Sequence, residues 1–250
     1  IACISQATEA DVRHWLDALS IERDTPLALG HFHLGSETRP DDDASGVTQD
    51  QQTTIDRLHD KPSFLMVGTL EPRKGHAQTL EAFNQLWTRG NDVALVIVGL
   101  PGWMTEVVQR RIRHHDELGK RLFWFADASD ALLEQLYAQC SVLLAPSQGE
   151  GFGLPLIEAA RHGLPILCRD LPVFHEVAGE FARYFSGNDA TSLAQAVESW
   201  LDAQRQGQVP PTAAMPRLTW AESAQQLLGL ILDDQADAIL TSNRRESEQT

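Results

Sequence analysis

The chain has 250 residues, of which 42% are apolar and 22% charged, values that suit a soluble globular protein able to bury a sizeable core. A net charge of -15 and a pI near 4.9 argue against a general nucleic-acid or anionic-membrane surface, while leaving room for a local basic pocket. No apolar run reaches the roughly 18 residues of a transmembrane helix, and the first residues lack the basic start and apolar core of a signal peptide.

Residues 1–4 are a short apolar run. Thr8, followed by Glu9 and Asp11, marks a helix start, and Val12, Trp15, Leu16 and Leu19 supply its apolar face. Residues 27–32 read as a short strand that ends in His33-Leu34-Gly35. The segment 36–60 reads as a linker, polar around Asp41-Asp42-Asp43 and with a helix candidate over 51–59.

From residue 61 the pattern becomes regular. Continuously apolar runs at 64–67, 94–98, 122–125, 142–144, 165–168 and 182–185 predict strands covered on both faces. Helical patterns at 76–87, 105–115, 131–139, 155–161 and 191–203 separate them. This alternation predicts an α/β fold, a doubly wound parallel sheet with right-handed crossovers, over 61–205. Residues 206–216 are a connection, 220–232 an amphipathic helix, and 234–250 a polar tail read as a helix tail or disordered. Cys3, Cys140 and Cys168 are far apart and show no metal-ligand spacing; Cys140 and Cys168, in or beside apolar runs, read as buried reduced thiols, which fits a cytoplasmic protein.

Two stretches carry chemistry. In the first, the apolar run ending at Ala145 leads through Gly149-Glu150-Gly151-Phe152-Gly153-Leu154-Pro155 into the helical segment that holds Glu158. Such a glycine-containing turn lets backbone approach a ligand closely, and the helix start offers unpaired N–H groups to an anion. Glu150 and Glu158 bracket it, and carboxylates accept hydrogen bonds from hydroxyls. Phosphate flanked by hydroxyls describes a nucleotide sugar. The bare spacing of the two glutamates fits equally a plain strand–loop–helix connection. The second stretch is Gly68-Thr69-Leu70-Glu71-Pro72-Arg73-Lys74-Gly75, after the strand at 64–67. Gly68 permits close backbone approach, and the adjacent cations Arg73 and Lys74 suit charge building on a leaving diphosphate. Neither a P-loop nor a dinucleotide-binding glycine fingerprint is present. Phe125 closes another strand, where an aromatic could stack on a base or simply pack in the core.

The Glu150-x7-Glu158 spacing with Gly-Phe-Gly-Leu-Pro inside resembles the donor-site signature of retaining glycosyltransferases of the GT-B fold, in the large family 4 group (glycosyl transferases group 1). The resemblance implies that Glu150 and the backbone of Gly151, Phe152, Gly153 and Leu154 meet the donor sugar. It implies that Glu158 meets the ribose, that Arg73 and Lys74 hold the diphosphate, and that Gly68, Thr69 and Phe125 line the donor site. The family pattern has Arg where Thr69 stands, and Arg73 would supply that guanidinium. Gly-Thr-Leu-Glu-Pro-Arg-Lys resembles a subgroup of mannosyltransferases, which points to GDP-mannose. Residues 1–35 resemble the tail of an N-terminal domain and its junction, and 206–233 the helix that crosses back, so the chain is expected to be the C-terminal half of the fold. No metal or other cofactor is expected. The expected partners are the donor, a saccharide or lipid-linked saccharide acceptor, the missing N-terminal domain and, for the full protein, a membrane surface. A non-catalytic GT-B-like module and a synthase or epimerase of another GT-B type remain the alternatives.

Overall fold

A computed structural model of the chain describes residues 1–19, 27–37 and 46–232, and the backbone of 238–240. It has two compact units, Ile1–Glu37 with Arg217–Thr250, and Thr38–Pro216. The acidic triplet Asp41-Asp42-Asp43 and most of the 234–250 tail lie outside the described residues.

The smaller unit starts with β1 (Ala2–Cys3), α1 (Gln6–Leu19) and β2 (Leu27–His31). The helix expected to open at Thr8 opens two residues earlier. Ser5 caps it: its Oγ accepts the Thr8 N–H at 3.0 Å and donates to the Thr8 hydroxyl at 2.8 Å.

The larger unit holds α2 (Gln49–Leu58), β3 (Ser63–Val67), α3 (His76–Thr88), β4 (Ala94–Val98), α4 (Glu106–Arg113), β5 (Leu122–Phe125) and α5 (Asp130–Gln139). It continues with β6 (Val142–Ala145), α6 (Leu154–Arg161), β7 (Ile166–Arg169), α7 (Pro172–Ala178), β8 (Arg183–Phe185) and α8 (Ala190–Arg205). The chain then returns to the smaller unit through α9 (Trp220–Leu232) and β9 (Ala238–Leu240). β9 pairs antiparallel with β2, so part of the tail expected to lack strands forms one; Ala-Ile-Leu is its last apolar run.

Strands β3 to β8 begin and end within one residue of the six apolar runs. They form one parallel sheet in the order β5-β4-β3-β6-β7-β8. All five residues of β4 and all four of β7 are buried, as a sheet covered on both faces requires. The short helix α7 has no visible period in the sequence. It forms because extended Leu171 precedes Pro172, whose ring presets the first helical turn.

One face of the sheet is closed by α3 and α8. Fully buried Phe64 meets Phe83 and Trp200 edge-on, with ring centroids 5.5 and 5.3 Å apart, and Phe83 continues the contact to Trp87. Trp200→Ala removes the central ring of this cluster. It is expected to cost about 3–5 kcal/mol, read as a lowered urea midpoint with an unchanged m-value.

Candidate functional site

Strand order reverses between β3 and β6. From β3 the sheet grows through β4 to β5, and from β6 it grows the other way through β7 to β8. Ligand crevices of doubly wound sheets open at such a reversal, beyond the carboxyl ends of the strands. The two loops that leave there, 68–75 and 146–153, are the two chemical stretches of the sequence.

Their backbones touch. Gly75 has φ 77°, and a Cβ on it would stand 2.7 Å from the Pro146 carbonyl oxygen. The Gln148 N–H donates to the Arg73 carbonyl at 2.7 Å. Side chains tighten the junction. Lys74 Nζ donates to Glu150 Oε1 at 2.5 Å, and Arg73 Nη1 to Glu150 Oε2 at 2.9 Å and the Gly149 carbonyl at 3.0 Å. Arg73 Nε also reaches Glu71 at 2.9 Å, and the Ser147 hydroxyl donates to Glu150 Oε1 at 2.7 Å. Burial acts to raise the Glu150 pKa. The hydrogen bonds from Lys74, Ser147 and Arg73 and the Lys74 charge outweigh it and hold the carboxyl below its ordinary value.

Gly68 lies under the lysine: Lys74 Cε and Nζ both stand 3.6 Å from where its Cβ would be. Thr69 is exposed at the end of β3. Gly153 caps α6 with φ 98°, and a Cβ there would meet the Phe174 ring at 2.8 Å. Among the described residues no side chain caps α3 or α6, so the positive ends of both helices face the loops. Gly151 and Leu154 flank this turn, half-buried, whereas the Phe152 side chain is buried in packing.

The two bracketing glutamates are held by different partners. Glu150 belongs to the cation cluster. Glu158 accepts the Tyr137 hydroxyl at 2.5 Å, and the Tyr137 ring stacks on His162. Burial, then the Glu158 charge, pushes the Tyr137 pKa well up. Phe125 ends β5, with β4 between it and the cluster's strand, and its carbonyl accepts the Gly99 N–H at 3.0 Å.

Two buried residues of the cluster escape a reading of the sequence. Arg169, only 4% exposed, ends β7. Its Nε donates to the Ser147 carbonyl at 2.9 Å, its Nη2 to the Pro146 carbonyl at 2.9 Å and to Gln78 at 2.5 Å, and its Nη1 to the Gly187 carbonyl. Among the described residues no carboxylate pairs with it, so it adds a net positive charge below the Glu150 loop. The only sequence signal is a cation directly after an apolar strand. His76 opens α3, 4% exposed, and its Nδ1 has no hydrogen-bond partner among the described residues. Burial, assisted by the Lys74 charge and opposed by the Glu71 carbonyl, lowers its pKa to about 4.

Arg169→Met strands the Pro146 and Ser147 carbonyls without donors. The expected loss of stability is about 3–5 kcal/mol, measured by urea unfolding. His76 also gives stability a pH dependence. Its folded pKa lies below the ordinary 6.5, so the unfolded chain takes up the proton first as pH falls. The His76 contribution is complete above about pH 6.5 and declines toward pH 4. The wild-type urea midpoint should therefore fall more steeply from pH 7 to about 4.5 than that of His76→Leu.

Residues 48–213 match the family model described as glycosyl transferases group 1. Over 230 residues the chain is 44% identical to the serotype-specific mannosyltransferase WbdA of Escherichia coli, covering 91% of this chain and 28% of that protein. It is 33% identical over 135 residues to the O-antigen chain mannosyltransferase B of Escherichia coli, covering 52% of this chain and 34% of that one. Sucrose-phosphate synthase from Thermosynechococcus elongatus superposes with a TM-score of 0.69 at 21% identity, over 95% of this chain and 58% of its own. That likeness is one of fold, and the six-stranded sheet is of the GT-B kind. The chain thus spans about 28% of the length of WbdA. With its match to the family model covering both loops of the switch-point crevice, the chain belongs to the glycosyl transferases group 1 family of glycosyltransferases.

Proposed function

We propose that the chain is the donor-binding part of a retaining, metal-independent glycosyltransferase. It takes a hexosyl group from a nucleotide-diphosphate sugar, GDP-mannose by the subgroup resemblance, and passes it to a hydroxyl of a saccharide or lipid-linked saccharide acceptor. Bacterial surface polysaccharide is the product class, in keeping with the O-antigen and serotype-specific mannosyltransferases that the chain resembles. The observation that carries the reading is the meeting of Arg73, Lys74 and the uncapped α6 N-terminus at the switch point, beside Glu150. A cytoplasmic setting suits it, since the donor is a cytoplasmic metabolite class; among the described residues no helix is long and apolar enough to cross a membrane.

The chemistry asked of these residues is electrostatic. The bond between the anomeric carbon and the β-phosphate oxygen breaks, and its electron pair goes to that oxygen. Arg73, Lys74 and the α6 N–H groups stabilise the charge that builds there. The acceptor oxygen attacks on the same face, and its proton passes to the departing phosphate oxygen. Glu150 takes hydroxyls of the sugar and Glu158 those of the ribose, each by exchanging its present partner for a ligand hydroxyl. Thr69 and Phe125 complete the donor site, and Gly68 keeps the space beside Lys74 clear.

Calorimetric titration of the chain with GDP, UDP and ADP tests this. One diphosphate should bind, GDP by the mannosyl resemblance, and Lys74→Ala or Glu158→Ala should weaken it at least about tenfold, the cost of one charge-assisted hydrogen bond. Binding of all three with equal affinity, or unchanged affinity in both variants, would refute the assignment.

A further inference from the structure

Under the Lys74–Glu150 pair lies a cavity of about 20 Å³. Its polar lining is Lys74, His76, Ser147 and Glu150, and its apolar lining includes Met66 and Phe174. That volume holds one water molecule and excludes a hexose ring. His76 Nδ1 is buried and has no partner among the described residues. Burial keeps the ring neutral, so one ring nitrogen is a bare acceptor, and Nδ1, buried in a space shared with the Lys74 donor and without a partner among the described residues, fits that role. A buried acceptor of this kind is costly unless an O–H or N–H meets it.

We propose that the cavity is the site of one ordered water that donates to His76 Nδ1 and accepts an N–H of Lys74, and that His76 thereby positions the lysine. The positioning role rests on the reading of the crevice as the donor site; the water site itself does not. An ammonium group has three N–H donors that rotate together. Glu150 holds one at 2.5 Å. The water holds the second, through a neutral imidazole that cannot repel the lysine. When donor hydroxyls take the carboxylate, the water still fixes its N–H, and the ammonium meets the phosphate oxygens with less freedom to turn. Two further groups, the Ser147 hydroxyl and the Glu150 carboxylate, line the same space and can take the water's second O–H. The site therefore offers the three or so partners that buried waters have.

The test has a spectroscopic arm and a binding arm on the same chain. In the ¹⁵N-labelled wild type, a long-range ¹H–¹⁵N correlation should show His76 protonated at Nε2 and unprotonated at Nδ1. The Nδ1 signal should be displaced as for an acceptor in a hydrogen bond, and the ring protons should give cross-peaks to a long-lived water. A protonated Nδ1, or no water cross-peak, overturns the water site whether or not a nucleotide binds. In the binding arm, GDP affinity should fall about tenfold in His76→Phe and return to within about threefold of wild type in His76→Asn, whose amide oxygen can replace the Nδ1 acceptor. Equal GDP affinity in wild type and His76→Phe overturns the positioning role. Failure of the wild type to bind GDP, UDP or ADP overturns the donor reading and the positioning role with it, and the water cross-peak still decides the site. Should His76→Phe fail to fold, His76→Asn carries the binding arm: a wild-type GDP affinity supports the role and a tenfold loss overturns it.

Discussion

The reversal of strand order between β3 and β6 is the constraint on which the rest depends. Adjacent parallel strands normally send their chains on in the same direction around the sheet. Here the two neighbours send theirs apart, so the loops above them are left facing one another with no crossover between them. The cations of one loop and the carboxylate of the other, 76 and 77 residues apart in sequence, meet because of that placement. Gly75 makes the approach possible, since a side chain there would stand in the Pro146 carbonyl. The backbone contact comes first and the ion pairs follow from it.

Charge is distributed unevenly for a reason. The chain is strongly acidic overall, yet Arg73, Lys74 and Arg169 gather at one end of one sheet. Two of them answer to Glu150, and the third, among the described residues, answers to carbonyl oxygens and the Phe185 ring rather than to a carboxylate. Burying a guanidinium with no counter-ion among the described residues is expensive, and it persists here because Pro146, Ser147 and Gly187 turn their carbonyls inward to meet it. The same bonds shape the loop that carries Glu150. Fold and electrostatics at this end of the sheet are therefore coupled through the same hydrogen bonds.

Much of this was legible from the residues alone. Continuous apolar runs marked all six parallel strands, because a strand covered on both faces has no polar side to confuse its pattern. The glycines and the adjacent cations marked the loops. Other features were hidden by their nature. The helix at 172–178 is too short to show a period, and the α1 cap fell to Ser5 because a side chain three residues ahead of Thr8 reached its N–H first. The 238–240 strand rests on a partner in β2 far away in sequence. Arg169 and His76 carry no motif: one looks like the polar end of a strand, the other like an ordinary helix residue. What distinguishes them is burial, which only the folded chain reveals.

The closeness of Glu150 to both cations has a consequence for discrimination among anions. A carboxylate tethered at hydrogen-bond distance behaves as a competitor at a high effective concentration, far above that of any dissolved anion. Bare phosphate or sulfate arriving at the crevice must eject it and offers nothing in return for the desolvated carboxylate left behind. A ligand that presents phosphate to Arg73 and Lys74 and hydroxyls to Glu150 in one rigid piece replaces both halves of the pair together. The resident ion pair thus acts as an internal stopper, one that yields to a molecule carrying both kinds of group and holds against the simple anions that crowd a cell.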